Sequence, residues 1–363
     1  MRIAIVHDSF TQLGGAERVV EVLHEMFPNA SVYALVLNKK LESKYAGWHV
    51  KTTWLQKFYD IIPKLQYWFF LIPYAVSCIN IHDADIILSS SSGFVKNIKV
   101  PQGSVHINYC HTPARFLWID KEYVDQEVPS LLRPLVKIFL QWMKRWDLEG
   151  SRRVNYFIAN SKEVQKRILH IYGRKSSIIY PSIDANFWRS TKTKGDYFLV
   201  AGRLQPHKKI EWIIEAFNAL GLPLHVAGTG RQENYLKSIA KANISFLGRV
   251  SDEHLRDEYS GAKAFIYPQV EDFGLMPLEA AACGTATLAY AKGGSLETVK
   301  PGITGELFFD YNLNAIKELI INWEPKKYSV ANLTDHAKRF NRESFESKVF
   351  EAVNMQFASR SAA

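Results

Sequence analysis

Residues 264–279, AFIYPQVEDFGLMPLE, decide the fold. They open with an apolar run, AFIYP, of the kind that makes a buried strand in a parallel sheet. A loop carrying Glu271 and Asp272 follows, then Phe273, Gly274, Leu275, Met276 and Pro277. Pro277 suits the first position of a helix, where a missing N–H costs nothing. Glu279 falls in the first turn, where the helix dipole favours a carboxylate. AAACG then reads as a small-residue helix closing at Gly284, and TATLAYA as the next strand. Two carboxylates eight positions apart therefore flank a helix start at the C-terminal end of a strand. That is the edge at which open α/β sheets bind ligands.

At 363 residues the chain exceeds one typical domain. Hydrophobic residues make up 47% and charged residues 22%, a composition able to bury a large core. Cys78, Cys110 and Cys283 show no CxxC or other metal spacing, which points to buried thiols in a reducing compartment. The opening MRIAIVHDSF turns acidic too early for a secretory signal, so the expected location is cytoplasmic. A net charge of +9 calls for an anionic partner: a nucleotide phosphate, a nucleic acid or a membrane surface.

Residues 2–7 read as a buried strand, 8–15 as a loop ending in Gly14-Gly15, 16–27 as a helix and 30–37 as a second strand. The helix start after the glycine pair can receive an anion. GGAE lacks GxGxxG spacing, and the second strand ends in Asn38-Lys39-Lys40 without a ribose-binding acid, which argues against a dinucleotide site. A tight turn is the competing explanation for the glycines. Residues 85–89 and 104–110 are further strands, the latter running into His111-Thr112-Pro113. A lone histidine is usually structural. This one stands at a strand's C-terminal end before a proline, and it is expected to line a site.

Residues 54–81 are dense in aromatics, broken by Pro63 and Pro73, and charged at Lys57, Asp60 and Lys64. A spanning helix needs about 20 uninterrupted apolar residues, which this stretch lacks. Buried helices are expected for most of it, with a basic and aromatic edge suited to a membrane interface. Residues 130–149 form a basic amphipathic helix in which Leu131, Leu135, Ile138, Trp142 and Trp146 recur at helical spacing, with Arg133, Lys137 and Lys144 on another face. The usual explanation puts one side in the core and the other in solvent. The other is a helix lying on anionic lipid, where each cation contributes about 1 kcal/mol.

A strand at 156–159, a helix capped by Ser161 and closed at Gly173, and a strand ending at Pro181 complete this half. Residues 182–195 read as a crossover, about which motion is expected. A second βα series then runs through DYFLVAGRL, a helix at 210–220, LHVAGTG, ISFLGRV, AFIYP and TATLAYA. Regular alternation means α/β with parallel sheets. Two series mean two doubly wound, Rossmann-like domains facing each other across a cleft, expected over 1–182 and 183–340. From Asn332 the chain reads as helical, with Phe340, Phe345, Val349 and Phe350 as its apolar face, and residues 341–363 are expected to pack back on the first domain.

The second half repeatedly sets functional residue types at strand ends. Gly202 permits a close turn, Arg203 offers a planar fork for phosphate and Lys208 a mobile point charge. Two cations five positions apart suit a diphosphate, and a solvated basic loop is the alternative. Gly228 with Gly230, and Gly248 through Val250, are glycine-bearing ends that let backbone approach a flat base or a sugar, although parallel strands often end in glycine.

Together these residues resemble a retaining glycosyltransferase of GT-B fold, in the large family 4 of nucleotide-sugar enzymes. That family's signature is Glu, seven residues, Glu, which here is Glu271 to Glu279 in EDFGLMPLE. GGAE, GRL-x-P-x-K, GxG and PGxTG stand at Gly14 to Glu17, Gly202 to Lys208, Gly228 to Gly230 and Pro301 to Gly305. HDSFTQLGGAERV and NYCHTPARFLW further resemble the branch containing bacterial O-antigen mannosyltransferases.

The resemblance implies roles. Arg203 and Lys208 would hold the diphosphate and neutralise the leaving group. Backbone around Gly274, Leu275 and Met276, next to Phe273, would meet phosphates or donor sugar. Glu279 would bind the ribose and Glu271 the transferred sugar. His111 would touch that sugar, Gly14 and Gly15 would face the phosphate, and Asp8 would serve the acceptor side. A nucleotide-sugar donor, best GDP-mannose, and a glycan or polyprenyl-linked glycan acceptor follow. No metal or other cofactor is expected, because cations can carry the leaving charge. Alternatives are a UDP-linked donor, an epimerase or phosphorylase of the same architecture, and a non-catalytic membrane scaffold, against which the intact charged set argues. A nucleic-acid partner is not expected, since the cations sit with glycines at strand ends rather than in a stripe.

Overall fold

The short apolar runs become strands buried along most of their length, as parallel sheets covered on both faces require. In the computed structural model, which describes residues 1–120 and 128–360, the chain divides into two units. One comprises Met1–Tyr180 with Glu346–Ala363, the other Pro181–Phe345.

The first unit holds a seven-stranded parallel sheet ordered β3-β2-β1-β4-β5-β6-β7. Its strands are β1 (Ile3–His7), β2 (Ser31–Ala34), β3 (Lys51–Thr52), β4 (Ile86–Ser91), β5 (Val105–Cys110), β6 (Tyr156–Ala159) and β7 (Ser176–Ile178). In register, Ile5 of β1 stands between Val32 of β2 and Leu88 of β4. The chain thus winds outward from β1, returns, and continues from β4 the other way. The second unit repeats the scheme with six strands ordered β10-β9-β8-β11-β12-β13. They are β8 (Phe198–Ala201), β9 (Leu224–Ala227), β10 (Ile244–Gly248), β11 (Phe265–Tyr267), β12 (Thr287–Tyr290) and β13 (Gly305–Phe308). Each sheet therefore reverses its winding once, at β1/β4 and at β8/β11, and the doubly wound fold expected of each half is observed.

Alternating blocks of apolar residues supply the cores. In the second unit Val200, Val226, Ile266 and Leu288 are covered by Ile210, Ile213, Ile214 and Phe217 of the Ile210–Leu220 helix. Each such side chain contributes about 1.5–3 kcal/mol by leaving water. Truncating Phe217 to alanine would cost about 3–5 kcal/mol. In the first unit Ala4, Val6, Leu35 and Ile87 pack with Leu55, Ile72 and Val76.

Three expectations need correction. Pro277 is the second residue of its helix, Met276–Ala282, not the first. The C-terminal stretch is two helices, Val330–Lys338 and Arg342–Arg360, and Phe350 of the expected apolar face is exposed while Val349 and Val353 are buried. The Arg133–Arg153 helix turns a different face inward: Val136, Leu140, Met143, Asp147 and Gly150 are buried, and most of the conspicuous apolar repeat is exposed. The reason is a buried ion pair. The Asp147 carboxylate meets the Lys96 ammonium and accepts from Trp118 Nε1 at 2.8 Å and the Tyr172 hydroxyl at 2.9 Å. A Cβ on Gly150 would stand 1.5 Å from Asn97 Oδ1, so the helix closes tightly on this turn. Removing one partner of such a pair costs about 3–5 kcal/mol. Of the three thiols, Cys110 and Cys283 are buried and Cys78 is exposed.

Candidate active site

In the second unit the two chain segments leaving β8 and β11 diverge at the switch point, opening the kind of crevice in which α/β sheets take ligands. Glycines bring the neighbouring strand ends unusually close. Gly202 has φ +140°, and its N–H donates to the Ala227 carbonyl at 3.0 Å. A Cβ on Gly228 would stand 1.9 Å from the Gly202 carbonyl oxygen, and one on Gly230 2.3 Å from that of Leu204. The Gly228 N–H donates in turn to the Gly248 carbonyl at 2.7 Å. The GRL and GTG motifs are thus backbone-on-backbone contacts that leave a floor free of side chains.

The charged residues stand on that edge. After β8, Arg203 is exposed, and a 3₁₀ turn at Pro206–Lys208 turns Lys208 inward, where it is buried. Its ammonium pairs with the Glu271 carboxylate from the loop after β11. The two segments that flank the switch point are therefore linked by one ion pair. Glu279 lies buried in the first turn of the Met276–Ala282 helix, whose N-cap, Leu275, provides no side-chain acceptor.

A second glycine pair shapes the β11 loop. The Gly294 N–H donates to the Glu271 carbonyl at 2.8 Å, and a Cβ on Gly294 would stand 1.9 Å from the Phe273 carbonyl oxygen. Phe273 itself is turned into the protein, its ring 5.8 Å from that of Phe340, so it offers the site only backbone. Gly274 has φ +88°, and a Cβ there would approach the Tyr267 hydroxyl to 3.1 Å. Leu275 and Met276 are half-buried, with Met276 Sδ 3.9 Å from Gln269 Nε2. Gly248 ends β10, the sheet's edge strand, and Val250 follows it, with β9 and β8 standing between β10 and β11.

Two residues here were missed by sequence reasoning. Tyr267 is buried, and burial first, then the Glu271 carboxylate, hold its phenol well above the ordinary value, with Glu279 and Asp272 adding to this and a Gln269 hydrogen bond opposing it. It is a permanently protonated donor among acids. Gln269 is also buried, its Oε1 3.4 Å from where a Gly202 Cβ would stand. Their position at the end of the AFIYP run was the available signal.

The first unit holds the other named residues around its own switch point. Asp8 follows β1, and its carboxylate accepts the backbone N–H groups of Ser92 at 2.6 Å and of Phe94 and Val95 at 2.9 Å. It stitches the turn after β4, a structural task that occupies both its oxygens. Gly14 caps the Gly15–Met26 helix, and Gly15 is exposed. His111 is buried at the end of β5, its Nε2 2.8 Å from Ser90 Oγ. Ser90 lies 3.2 Å from His7 Nδ1, and His7 Nε2 is 4.0 Å from Glu17 Oε1. Burial, and then His7, pull His111 down to about 3, so its ring is neutral. His7, Ser90 and Glu17 had not been foreseen as a line of polar groups behind His111. Among the described residues, no group of three or more His, Cys, Asp or Glu side chains is placed to hold a metal.

Comparison with known proteins bears on the family and the fold. Residues 13–187 match the family model described as Glycosyltransferase Family 4, and residues 182–342 that described as Glycosyl transferases group 1. The chain is 25% identical over 161 residues to the O-antigen chain mannosyltransferase RfbU of Salmonella typhimurium, covering 42% of this chain and 46% of that one. It is 31% identical over 135 residues to the GDP-mannose-dependent monoacylated alpha-(1-6)-phosphatidylinositol monomannoside mannosyltransferase of Corynebacterium glutamicum, covering 33% and 35%. The chain spans about half the length of the curated relatives it matches, or less. Among solved structures, the Anabaena protein Alr3699/HepE in complex with UDP superposes with a TM-score of 0.72 at 16% identity, over 98% of this chain and 100% of that one. That likeness concerns the fold.

Proposed function

We propose that this chain, a GT-B glycosyltransferase of family 4, moves a hexose from a nucleotide sugar to a glycan acceptor with retention of configuration. Mannose from GDP-mannose is the preferred donor, and a lipid-linked or polysaccharide acceptor in bacterial surface glycan synthesis the preferred partner, met at the inner face of the membrane. The observation that carries the reading is the Lys208–Glu271 ion pair across the β8/β11 switch point, with Arg203 exposed beside it and Glu279 in the following helix.

In this reading Arg203 and Lys208 take the charge that develops on the departing diphosphate, the kind of stabilisation that contributes most in a site held ready for it. Glu271 holds Lys208 before the donor arrives and contacts the sugar hydroxyls when it is bound. Glu279 accepts from the ribose, each bond to a charged acceptor contributing about 1.5–3 kcal/mol. The C1–O bond to the diphosphate breaks as the acceptor oxygen bonds C1 on the same face, and the acceptor's proton passes to a diphosphate oxygen. His111, neutral and buried, serves as a hydrogen-bonding group toward the sugar rather than as a cation.

Support for mannose comes from the names of the two curated relatives, while the Anabaena structure holds UDP and favours a UDP-linked donor as the second reading. A thermal-shift and hydrolysis screen of GDP-, UDP- and ADP-sugars decides between them. GDP-mannose is expected to give the largest shift. A shift with UDP-sugars alone overturns the mannose assignment, and no shift with any nucleotide sugar overturns the donor site.

A further inference from the structure

Two surface stretches of the first unit share a property that core packing does not explain. On the Arg133–Arg153 helix and the 3₁₀ turn before it, Leu131, Leu135 and Ile138 are 89%, 62% and 70% exposed, and Trp142 is exposed beside them. Spacings of four, three and four residues put them on one helical stripe. In the region 55–77, Ile61 is 78% exposed and Tyr74 65%, with Phe58, Tyr67 and Phe70 also exposed. The stretches are joined by rings: Phe70 lies 4.5 Å from Phe139, and Phe139 5.4 Å from Trp142. A contiguous apolar face of this kind on a water-soluble surface marks an interaction site.

Its charge says what it meets. Residues 128–146 carry Arg133, Lys137, Lys144 and Arg145 and no acid, and the other stretch adds Lys57 and Lys64 against Asp60. Asp60 is itself near Lys39, at 3.8 Å. Lys64 stands over the Tyr67 ring and Lys144 over that of Trp118. Interfaces between proteins are depleted in lysine. The exposed Lys137 and Arg145 flank the Leu and Trp stripe, while Arg133 and Lys144 are half-buried, and cations bordering an apolar aromatic face are the pattern of a helix lying in the headgroup region of an anionic bilayer. Among the described residues no helix is long and apolar enough to cross a membrane, so this one would lie on it. We propose that the stripe Leu131, Leu135, Ile138, Trp142, continued by Phe70 and Tyr74, is the face by which the first unit docks on anionic lipid. This fills in the membrane clause of the functional reading and is independent of the donor chemistry.

The test is co-sedimentation of the full chain with phosphatidylcholine vesicles, with and without phosphatidylglycerol. The native chain should bind the anionic vesicles, and added salt should weaken binding. Leu135→Glu with Ile138→Glu should reduce binding on the order of tenfold or more. Lys137→Gln with Arg145→Gln should reduce it by about fivefold per cation. All four positions are exposed, so unfolding curves should match the native chain's. No native binding, equal binding to neutral vesicles, or full binding by the Leu135/Ile138 variant overturns the proposal. So does a native dimer that the same variant dissociates while vesicle binding is unchanged, since the face would then join two copies. Nucleotide-sugar thermal shifts on the same preparations separate the two readings: a donor shift without vesicle binding overturns the docking face alone, and vesicle binding without any donor shift overturns the donor site alone.

Discussion

Replacing Gly294 by alanine tests how the candidate donor site is held. Gly294 has φ −66° and ψ −21°, a helical conformation that alanine adopts without strain. The effect of the substitution is therefore purely one of space. The new Cβ would stand 1.9 Å from the Phe273 carbonyl oxygen, where ordinary contact begins near 3.4 Å. The Phe273 backbone must then retreat by about 1.5 Å (3.4 minus 1.9). Glu271, two residues before Phe273 in the chain, is displaced with it, which strains the bond its carbonyl accepts from the Gly294 N–H. A displacement of about 1 Å in a positioned group costs on the order of a hundredfold in rate. We expect kcat/KM to fall by about a hundredfold or more, with about 1–3 kcal/mol lost in stability from overpacking. Gly47→Ala is the control, since nothing lies within 4 Å of its Cβ. Steady-state kinetics with the donor identified by the screen, together with urea unfolding, measure both quantities. If the variant keeps turnover and nucleotide affinity within about threefold of native, the β12 glycine pair does not position the Glu271 loop.

Arg203→Ala or Lys208→Ala should each lower turnover by about 10²–10³-fold with the fold preserved, and near-normal activity in both removes the diphosphate role. Lys208→Ala also strands Glu271, so adding Glu271→Ala should restore thermal stability without restoring turnover. Glu279→Gln should weaken nucleotide binding by about 1.5–3 kcal/mol in calorimetry, and an unchanged affinity argues against a ribose contact. Burial first, and then Lys96 and Arg153, pull His106 to about 3, and His111 stands at about 3 as well. Both are neutral when folded and take up protons on unfolding below the ordinary value of 6.5. Stability should be full above that pH and fall toward acid by at most about 1.4 kcal/mol per pH unit for each histidine. Urea unfolding between about pH 7 and 5 should show this slope, reduced in His106→Asn, and a flat profile refutes it.

What the sequence revealed was local. Ser161 accepts the Val164 N–H, Gly173 closes its helix at φ +64°, and the Ile210–Leu220 helix begins and ends where its pattern does, because caps and periodicity act over a few residues. The strand ends bearing Arg203, Lys208, Glu271 and Glu279 were legible for the same reason. What was not legible depends on partners far along the chain. The inward face of the Arg133–Arg153 helix carries Asp147, which meets Lys96 51 residues away, so hydrophobic spacing alone left the core and lipid readings of the apolar repeat open. Asp8 looked available for an acceptor, yet it is engaged by N–H groups 84 to 87 residues on. Tyr267 and Gln269 carry no motif beyond their place at the end of the AFIYP run, and the crowding around Gly274 and Gly202 brings them into the site.

The grouping of Glu346–Ala363 with the first unit bears on how the protein is made. A ribosome releases all seven strands of that unit by residue 178, but the helix that belongs with it emerges only after the entire second unit has been translated. Val349 and Val353, both buried in the finished protein, are not made until then, and the patch they cover stays open. The nascent first unit must wait with that patch uncovered while the second unit folds ahead of its completion. Truncation near residue 345, although remote in sequence, would therefore injure the unit that carries His111 and the exposed apolar stripe.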